Sequence, residues 1–136
     1  MQEITYGIEP NLSADEFIDC LVRSTLSERR PVDDIPRIAQ MIQNADIMCT
    51  ARNLDGQLIG VARSISDFSY CTYLSDLAVD VTYQRRGIGK ELIRRSHAVA
   101  GEHTMLVLLA APKAASYYPH IGMLSHPSAW YIPRSC

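Results

Sequence analysis

The stretch that most limits what this chain can become is Val79-Asp80-Val81-Thr82-Tyr83-Gln84-Arg85-Arg86-Gly87-Ile88-Gly89-Lys90-Glu91-Leu92. A strand-like run, residues 70–81, feeds a turn holding two arginines and two glycines, and an amphipathic run over 87–100 follows at once. Glycine lets a backbone pass close to a ligand. A helix start offers N–H groups with no partner of their own and a positive dipole end. Arg85, Arg86 and Lys90 add charge, so the stretch reads as a binding place for an anion, with phosphate the natural candidate.

The remaining elements arrange themselves around it. Residues 2–8 alternate weakly about Ile4, Tyr6 and Ile8, as a first strand does. Ser13 followed by Glu16 is a capping box for a helix over 14–26. Asp33 and Asp34 lead a second helix with Pro36 in its first turn, stopping at Asn44. The charged 27–34 connection between them is either a solvated loop or a wall of a substrate cleft. Two apolar runs, 47–52 and 58–65, flank Asp55-Gly56, a hairpin signal. After a second turn at 67–69 comes the long strand 70–81, so the early strands are antiparallel neighbours. Residues 104–110 are almost wholly apolar, which suits a strand buried on both faces beside a parallel partner. Pro112 opens a short helix through Tyr118, and residues 128–132 read as a last strand.

Rival phosphate binders fit poorly. In a P-loop, Gly-Lys is followed by Ser or Thr, but Glu91 stands there; a dinucleotide fingerprint needs a glycine where Leu92 stands. Gln84-Arg85-Arg86-Gly87-Ile88-Gly89, preceded by Asp76-Leu77-Ala78-Val79, instead resembles the acetyl-CoA-binding motif of the GCN5-related N-acetyltransferase (GNAT) superfamily. Ala114-Ala115-Ser116-Tyr117-Tyr118-Pro119-His120-Ile121-Gly122-Met123 is similar to that family's Ala…Tyr-x-x-x-Gly-Phe segment. The resemblance implies an α/β domain of α+β type over residues 1–136. Its mixed sheet would have about six to seven strands, antiparallel early with a splayed parallel pair (70–81 and 104–110), flanked by about four helices.

It also implies roles. Backbone groups at Leu77, Val79 and Val81 would bond the pantetheine arm of acetyl-CoA, and the amides of Gln84, Arg85, Arg86, Gly87, Ile88, Gly89 and Lys90 would hold its pyrophosphate. Tyr118 falls at the general-acid tyrosine, with Tyr117 at an apolar packing position. The base is open: Tyr73 stands where several members carry Glu or His, leaving Asp76, Ser75 or His120 as substitutes. Asp76 is the candidate carried forward. Ala111 replaces a frequent cofactor-contacting Asn, and Met123 replaces the usual Phe.

The expected activity is transfer of the acetyl group of acetyl-CoA to a primary amine by direct attack in a ternary complex. A non-catalytic acyl-CoA sensor on the same fold is the alternative. Composition trims the field further. The formal net charge of −2 argues against a nucleic-acid coat protein, although Arg85, Arg86, Lys90, Arg94 and Arg95 form a local basic cluster. Four widely spaced cysteines (Cys20, Cys49, Cys71, Cys136) show no metal-ligand pattern and suit reduced thiols in a cytoplasmic setting. No apolar run is long enough to span a bilayer. The expectation is no metal, no membrane, an amine acceptor of unknown identity, and a homodimer by analogy.

Overall fold

The computed structural model describes residues 3–135. In chain order it contains β1 (Thr5–Ile8), α1 (Ala14–Ser24), a 3-10 turn (Leu26–Arg29), α2 (Ile35–Gln43), β2 (Ile47–Arg52), β3 (Leu58–Ser66) and β4 (Cys71–Val79). A second 3-10 turn (Val81–Tyr83), α3 (Ile88–Ala100), β5 (Met105–Val107), a third 3-10 turn (Pro112–Ala114) and α4 (Tyr117–His120) complete it. Cys136 and the first residue of the expected 2–8 strand lie outside the described residues.

Local chemistry sets most boundaries. Ser13 caps α1 by accepting the Glu16 N–H at 3.1 Å. The reciprocal half of the capping box is missing, because the Glu16 carboxylate turns outward to Arg52 at 2.7 Å. Asp34 caps α2 by accepting the Arg37 N–H at 3.1 Å, with proline in the first turn. Gly101 ends α3 at a φ of 105°. In the β2–β3 turn the Asn53 side chain accepts the N–H groups of Asp55 and Gln57, both at 3.0 Å.

The five strands run in the order β1-β2-β3-β4-β5, antiparallel up to β4 and parallel between β4 and β5. Helices cover the sheet on both faces. On one, Phe17, Leu21, Ile38 and Ile42 of α1 and α2 pack on Met48, Leu58, Val61 and Ala78. On the other, Ile88 and Leu92 of α3 pack on Cys49, Ala51, Ile59, Ala62 and Leu74. Helix α3 approaches so closely that a Cβ on Gly60 of β3 would lie 3.1 Å from Leu92 and 3.2 Å from Ile88.

The register slips between Arg63 and Ser64 of β3, which pair with Asp76 and Leu74. Ser75 is therefore the extra residue of a β-bulge. The bulge puts Leu74 and Leu77 on the α3 face although they are three apart, and turns Tyr73, Asp76 and Ala78 to the α1–α2 face.

The α/β class, the mixed sheet, the parallel pair and the four helices match the sequence expectation. Four extents differ. The helix expected from Pro112 through Tyr118 is a 3-10 turn at Pro112–Ala114 followed by α4 at Tyr117–His120. The strand expected over 70–81 stops at Val79, because the Asp80 carboxylate accepts both the N–H and the hydroxyl of Thr82 at 2.8 Å and curls the chain into a turn. The run 104–110 pairs only through Met105–Val107 and sits at the sheet edge, where Met105 is 60% exposed, rather than buried on both faces. Residues 128–132 form no strand, and Trp130 and Ile132 are exposed. The sheet accordingly has five strands among the described residues instead of six to seven.

Candidate active site

The site begins at the free edge of β4. The Asp80 N–H donates to the Ile59 carbonyl of β3 at 2.8 Å. Successive residues of a strand point their backbone groups to opposite edges, so the N–H and C=O groups of Val79 and Leu77 face away from β3. Strand β5 occupies that side only along Cys71–Tyr73. From Leu74 to Val79, no strand among the described residues pairs with this edge of β4. The Val79 carbonyl is taken by the Gln84 side-chain amide at 3.0 Å, which folds the following loop back onto the strand end.

That loop carries a run of unusual backbone. Arg85 has a φ of 66° and Gly87 a φ of 79°, both left-handed. Alternation of this kind turns successive N–H groups toward one concave side. Gly87 is the N-cap of α3 and provides no side chain to cap it. Glu91 is the first to donate back within the helix, to the Gly87 carbonyl at 3.0 Å. The loop is braced from below: Asn53 donates to the Tyr83 hydroxyl at 3.1 Å, and the Arg86 guanidinium lies 5.2 Å over the Tyr83 ring. Ile88 and Gly89 are buried, so these two residues can serve a ligand through their backbone only. Val81, expected on the strand, lies in the 3-10 turn. Lys90 and Arg85 are exposed.

Tyr117 and Tyr118 arrive from α4, their rings edge to face with centroids 5.3 Å apart. Their hydroxyls meet different surroundings. The Tyr117 hydroxyl faces the Lys90 backbone N–H at the start of α3, and a Cβ on Gly89 would come within 2.6 Å of that oxygen. Tyr117 is thus part of the loop's rim and not a packing residue alone. The Tyr117-Tyr118 doublet was the sole signal for it in the sequence. Burial pushes the Tyr118 hydroxyl above its usual pKa, and the neighbouring Tyr117 pushes it the same way, so it stays a proton donor at neutral pH.

Asp76 is fully buried. One carboxylate oxygen is bonded by Arg30 Nε and the other by Arg63 Nε. Arg30 belongs to the charged connection between α1 and α2. Glu28 of the same connection accepts from Lys113 at 3.1 Å, so this segment reaches across to the chain leading into α4. The 27–34 connection therefore lies against both β4 and the chain leading into α4.

On α3, Glu91 accepts from Arg94 at 2.7 Å and from Arg95 at 2.6 Å, and the Arg94 guanidinium leads in holding its carboxyl down to about 2. Arg95 also lies 4.6 Å over the Tyr6 ring. Much of the local basic cluster is therefore neutralised within its own helix. His120 is exposed at the end of α4, and His97 is bonded to the Thr104 carbonyl at 2.7 Å. Among the described residues no cluster of three His, Cys, Asp or Glu could hold a metal ion, and no helix is long and apolar enough to cross a membrane.

A strand edge that runs straight into a concave N–H loop at a helix start is what the sequence pattern shared with known proteins also covers. The profile of the acetyltransferase (GNAT) family matches residues 14–123. The chain belongs to that family. A curated relative, an uncharacterized N-acetyltransferase ycf52 of Gracilaria tenuistipitata var. liui, is 28% identical over 81 residues, covering 54% of this chain and 44% of the relative. The aligned part thus spans less than half of that relative's length.

Solved structures agree on the fold. A GNAT-family acetyltransferase of Streptococcus pneumoniae TIGR4 superposes with a TM-score of 0.72 at 17% identity, over 98% of this chain and 100% of its own. An aminoglycoside N-acetyltransferase in complex with CoA gives 0.73 at 16% identity, over 100% and 97%. An aminoglycoside acetyltransferase from an uncultured soil metagenomic sample, in complex with sisomicin, gives 0.70 at 20% identity, over 99% and 96%.

Proposed function

We propose that this GNAT-family chain acts as a single domain that transfers the acetyl group of acetyl-CoA to a primary amine. The observation that carries the reading is the continuity of the open β4 edge with the α3 cradle. The N–H and C=O groups at Leu77 and the N–H at Val79 suit the amide-bearing arm of the donor, which would lie along β4 as an added strand. The cradle suits the donor's pyrophosphate: amides at the α3 start, a positive dipole end, and exposed Arg85 and Lys90. Gly89 fits this use, since a side chain there would fill the space at the rim.

In the reaction the neutral amine attacks the thioester carbonyl carbon. The carbonyl π electrons move to oxygen, next to the Leu77 N–H, which supports the developing charge. Collapse breaks the C–S bond, and the departing thiolate takes the Tyr118 proton. Asp76 is a poor base on this geometry, because both its oxygens are held by guanidinium groups and no solvent reaches it. The amine proton then leaves through water, or through a group of the acceptor pocket. The apolar groove formed on the α1–α2 face by Ile65, Cys71, Tyr73 and Val107, about 440 Å³ in volume, gives an acceptor somewhere to rest.

Calorimetric titration with acetyl-CoA tests the donor half, and no heat up to millimolar concentration would sink it. A panel of aminoglycosides, polyamines and peptide N-termini, followed by CoA thiol release, tests the acceptor half. The substitution Tyr118→Phe should lower turnover about 100-fold while donor affinity stays within about threefold. A chain that binds acetyl-CoA but acetylates no amine would instead be the non-catalytic sensor.

A further inference from the structure

The β-bulge at Ser75 lies between the paired and the open halves of β4, and two guanidinium groups grip it. Arg30 donates through Nε to Asp76 and through Nη2 to the Ser75 carbonyl at 2.7 Å. Arg63 donates through Nε to the other Asp76 oxygen and through Nη2 to the Ser75 hydroxyl at 3.0 Å. Arg63 also reaches the Met41 carbonyl of α2 at 3.4 Å. Four residues after Asp76, Asp80 is held in the same manner by Arg23 of α1, which also donates to the Leu58 carbonyl. The segment Leu77–Val79, the open edge itself, is thus suspended between two aspartates, each tied by arginine to the α1–α2 arm.

A carboxylate with no solvent exposure beside two guanidinium groups is expensive to desolvate, and an apolar trio of similar volume often stabilises a core at least as well. What the charged trio provides and an apolar one does not is direction: two rigid forks fix the positions of two adjacent residues of a strand. Arg30 is the informative member. It sits not on the sheet but on the connection bordering the site, and it is half of the link between that connection and the strand.

We propose, resting on the donor-site reading above, that Arg30 and Arg63 are positioning residues. They set the bulge so that Leu77 and Val79 face the donor, and through Arg30 the 26–34 connection on the acceptor side becomes one mechanical unit with the donor strand. Donor binding then orders the acceptor side without touching it.

Hydrogen exchange on the full chain, with and without saturating acetyl-CoA, tests this. In the wild type the donor should slow exchange about tenfold both at Leu77–Val79 and across 26–34. In Arg30→Met, Arg63 still holds Asp76 and Ser75, so acetyl-CoA should bind more weakly but at saturation still slow Leu77–Val79, while the slowing across 26–34 should vanish. Should that variant fold poorly, the all-apolar Arg30→Met/Arg63→Met/Asp76→Leu variant removes every buried charge of the cluster and keeps the proposal testable. It should melt no lower than the wild type yet bind acetyl-CoA at least about tenfold more weakly, with no slowing across 26–34. Wild-type affinity in that variant would make the trio purely structural and overturn the positioning role. Donor binding with unchanged exchange across 26–34 in the wild type would overturn the coupling alone. A wild type that does not bind acetyl-CoA at all would overturn the donor-site reading, and this inference with it.

Discussion

Replacing Gly89 with alanine should be nearly neutral in the wild type and stabilising once the Tyr117 hydroxyl is removed. In an ordinary helix the change stabilises by about 1 kcal/mol, since glycine is the poorest former after proline. Here the new Cβ would lie 2.6 Å from the Tyr117 hydroxyl, while the next ring atoms are 3.4 and 3.7 Å away. The hydroxyl and its ring must give way, and overpacking of that kind costs about 1 kcal/mol or more. The two effects nearly cancel, so Gly89→Ala alone should leave stability within about 0.5 kcal/mol of wild type. In a Tyr117→Phe background the clashing oxygen is gone, the ring contacts are ordinary, and the same substitution should stabilise by about 1 kcal/mol. The difference, about 1 kcal/mol, is the coupling measured by a double-mutant cycle, and urea denaturation of the four proteins at constant m-value reads it directly. Equal effects of Gly89→Ala in both backgrounds would refute the placement of the Tyr117 hydroxyl at the start of α3. The same four proteins carry a second readout. A methyl at position 89 narrows the cradle whatever residue 117 is, so acetyl-CoA affinity should fall at least about tenfold in both alanine variants.

Other consequences are simpler to state. Gly60→Ala would push a Cβ to 3.1 Å from Leu92, 3.2 Å from Ile88 and 3.3 Å from Ala51, and should destabilise by about 1–3 kcal/mol in a denaturant titration. The Asp67 carboxyl is held down to about 2 by the Tyr70, Ser69 and Cys71 backbone N–H groups. Its folded value is below its unfolded one, so its contribution is complete above about pH 4 and is lost as the pH falls toward 2. NMR titration of those three amides should show a midpoint near 2, and a midpoint near 4 would contradict the turn. The Tyr118 hydroxyl is pushed upward, so any alkaline fall in kcat that Tyr118→Phe abolishes should lie above about pH 10; one centred near pH 8 would remove Tyr118 from the acid role. In a Cys136→Ser background, one thiol should react promptly with an aromatic disulfide reagent. It is the exposed Cys71, while burial pushes Cys20 up to about 12 and raises Cys49 as well.

What could be seen in the sequence was what short-range chemistry decides. Ser13, Asp34, Asp55-Gly56 and Gly101 each solve a backbone problem within four residues of themselves, and each appears in the structure at the boundary it marked. The loop at 84–90 was visible for the same reason. What escaped depends on partners far along the chain. The apolar run 104–110 looks doubly buried, yet how much of it pairs is decided by how far β4 stays alongside, and the bulge at Ser75 ends that contact early. Asp76 looked available because nothing in its neighbourhood of sequence reveals Arg30 or Arg63, 46 and 13 positions away. Tyr117 looked like packing because the N–H it meets belongs to a helix start 27 positions earlier (117 − 90).

The two apolar cores on either side of the sheet have a consequence for how such a protein can diversify. Leu92 and Ile88, which seat α3 behind the 84–90 loop, belong to one core; Phe17, Leu21, Ile38 and Ile42, which seat the α1–α2 arm, belong to the other. On the proposed function, changes in that arm would be absorbed by the α1–α2 core and leave the foundation of the 84–90 loop alone. New acceptors could then be sampled on one face while donor binding is kept on the other. Arg23 and Arg30, which cross from the arm to β4, are where that freedom should end.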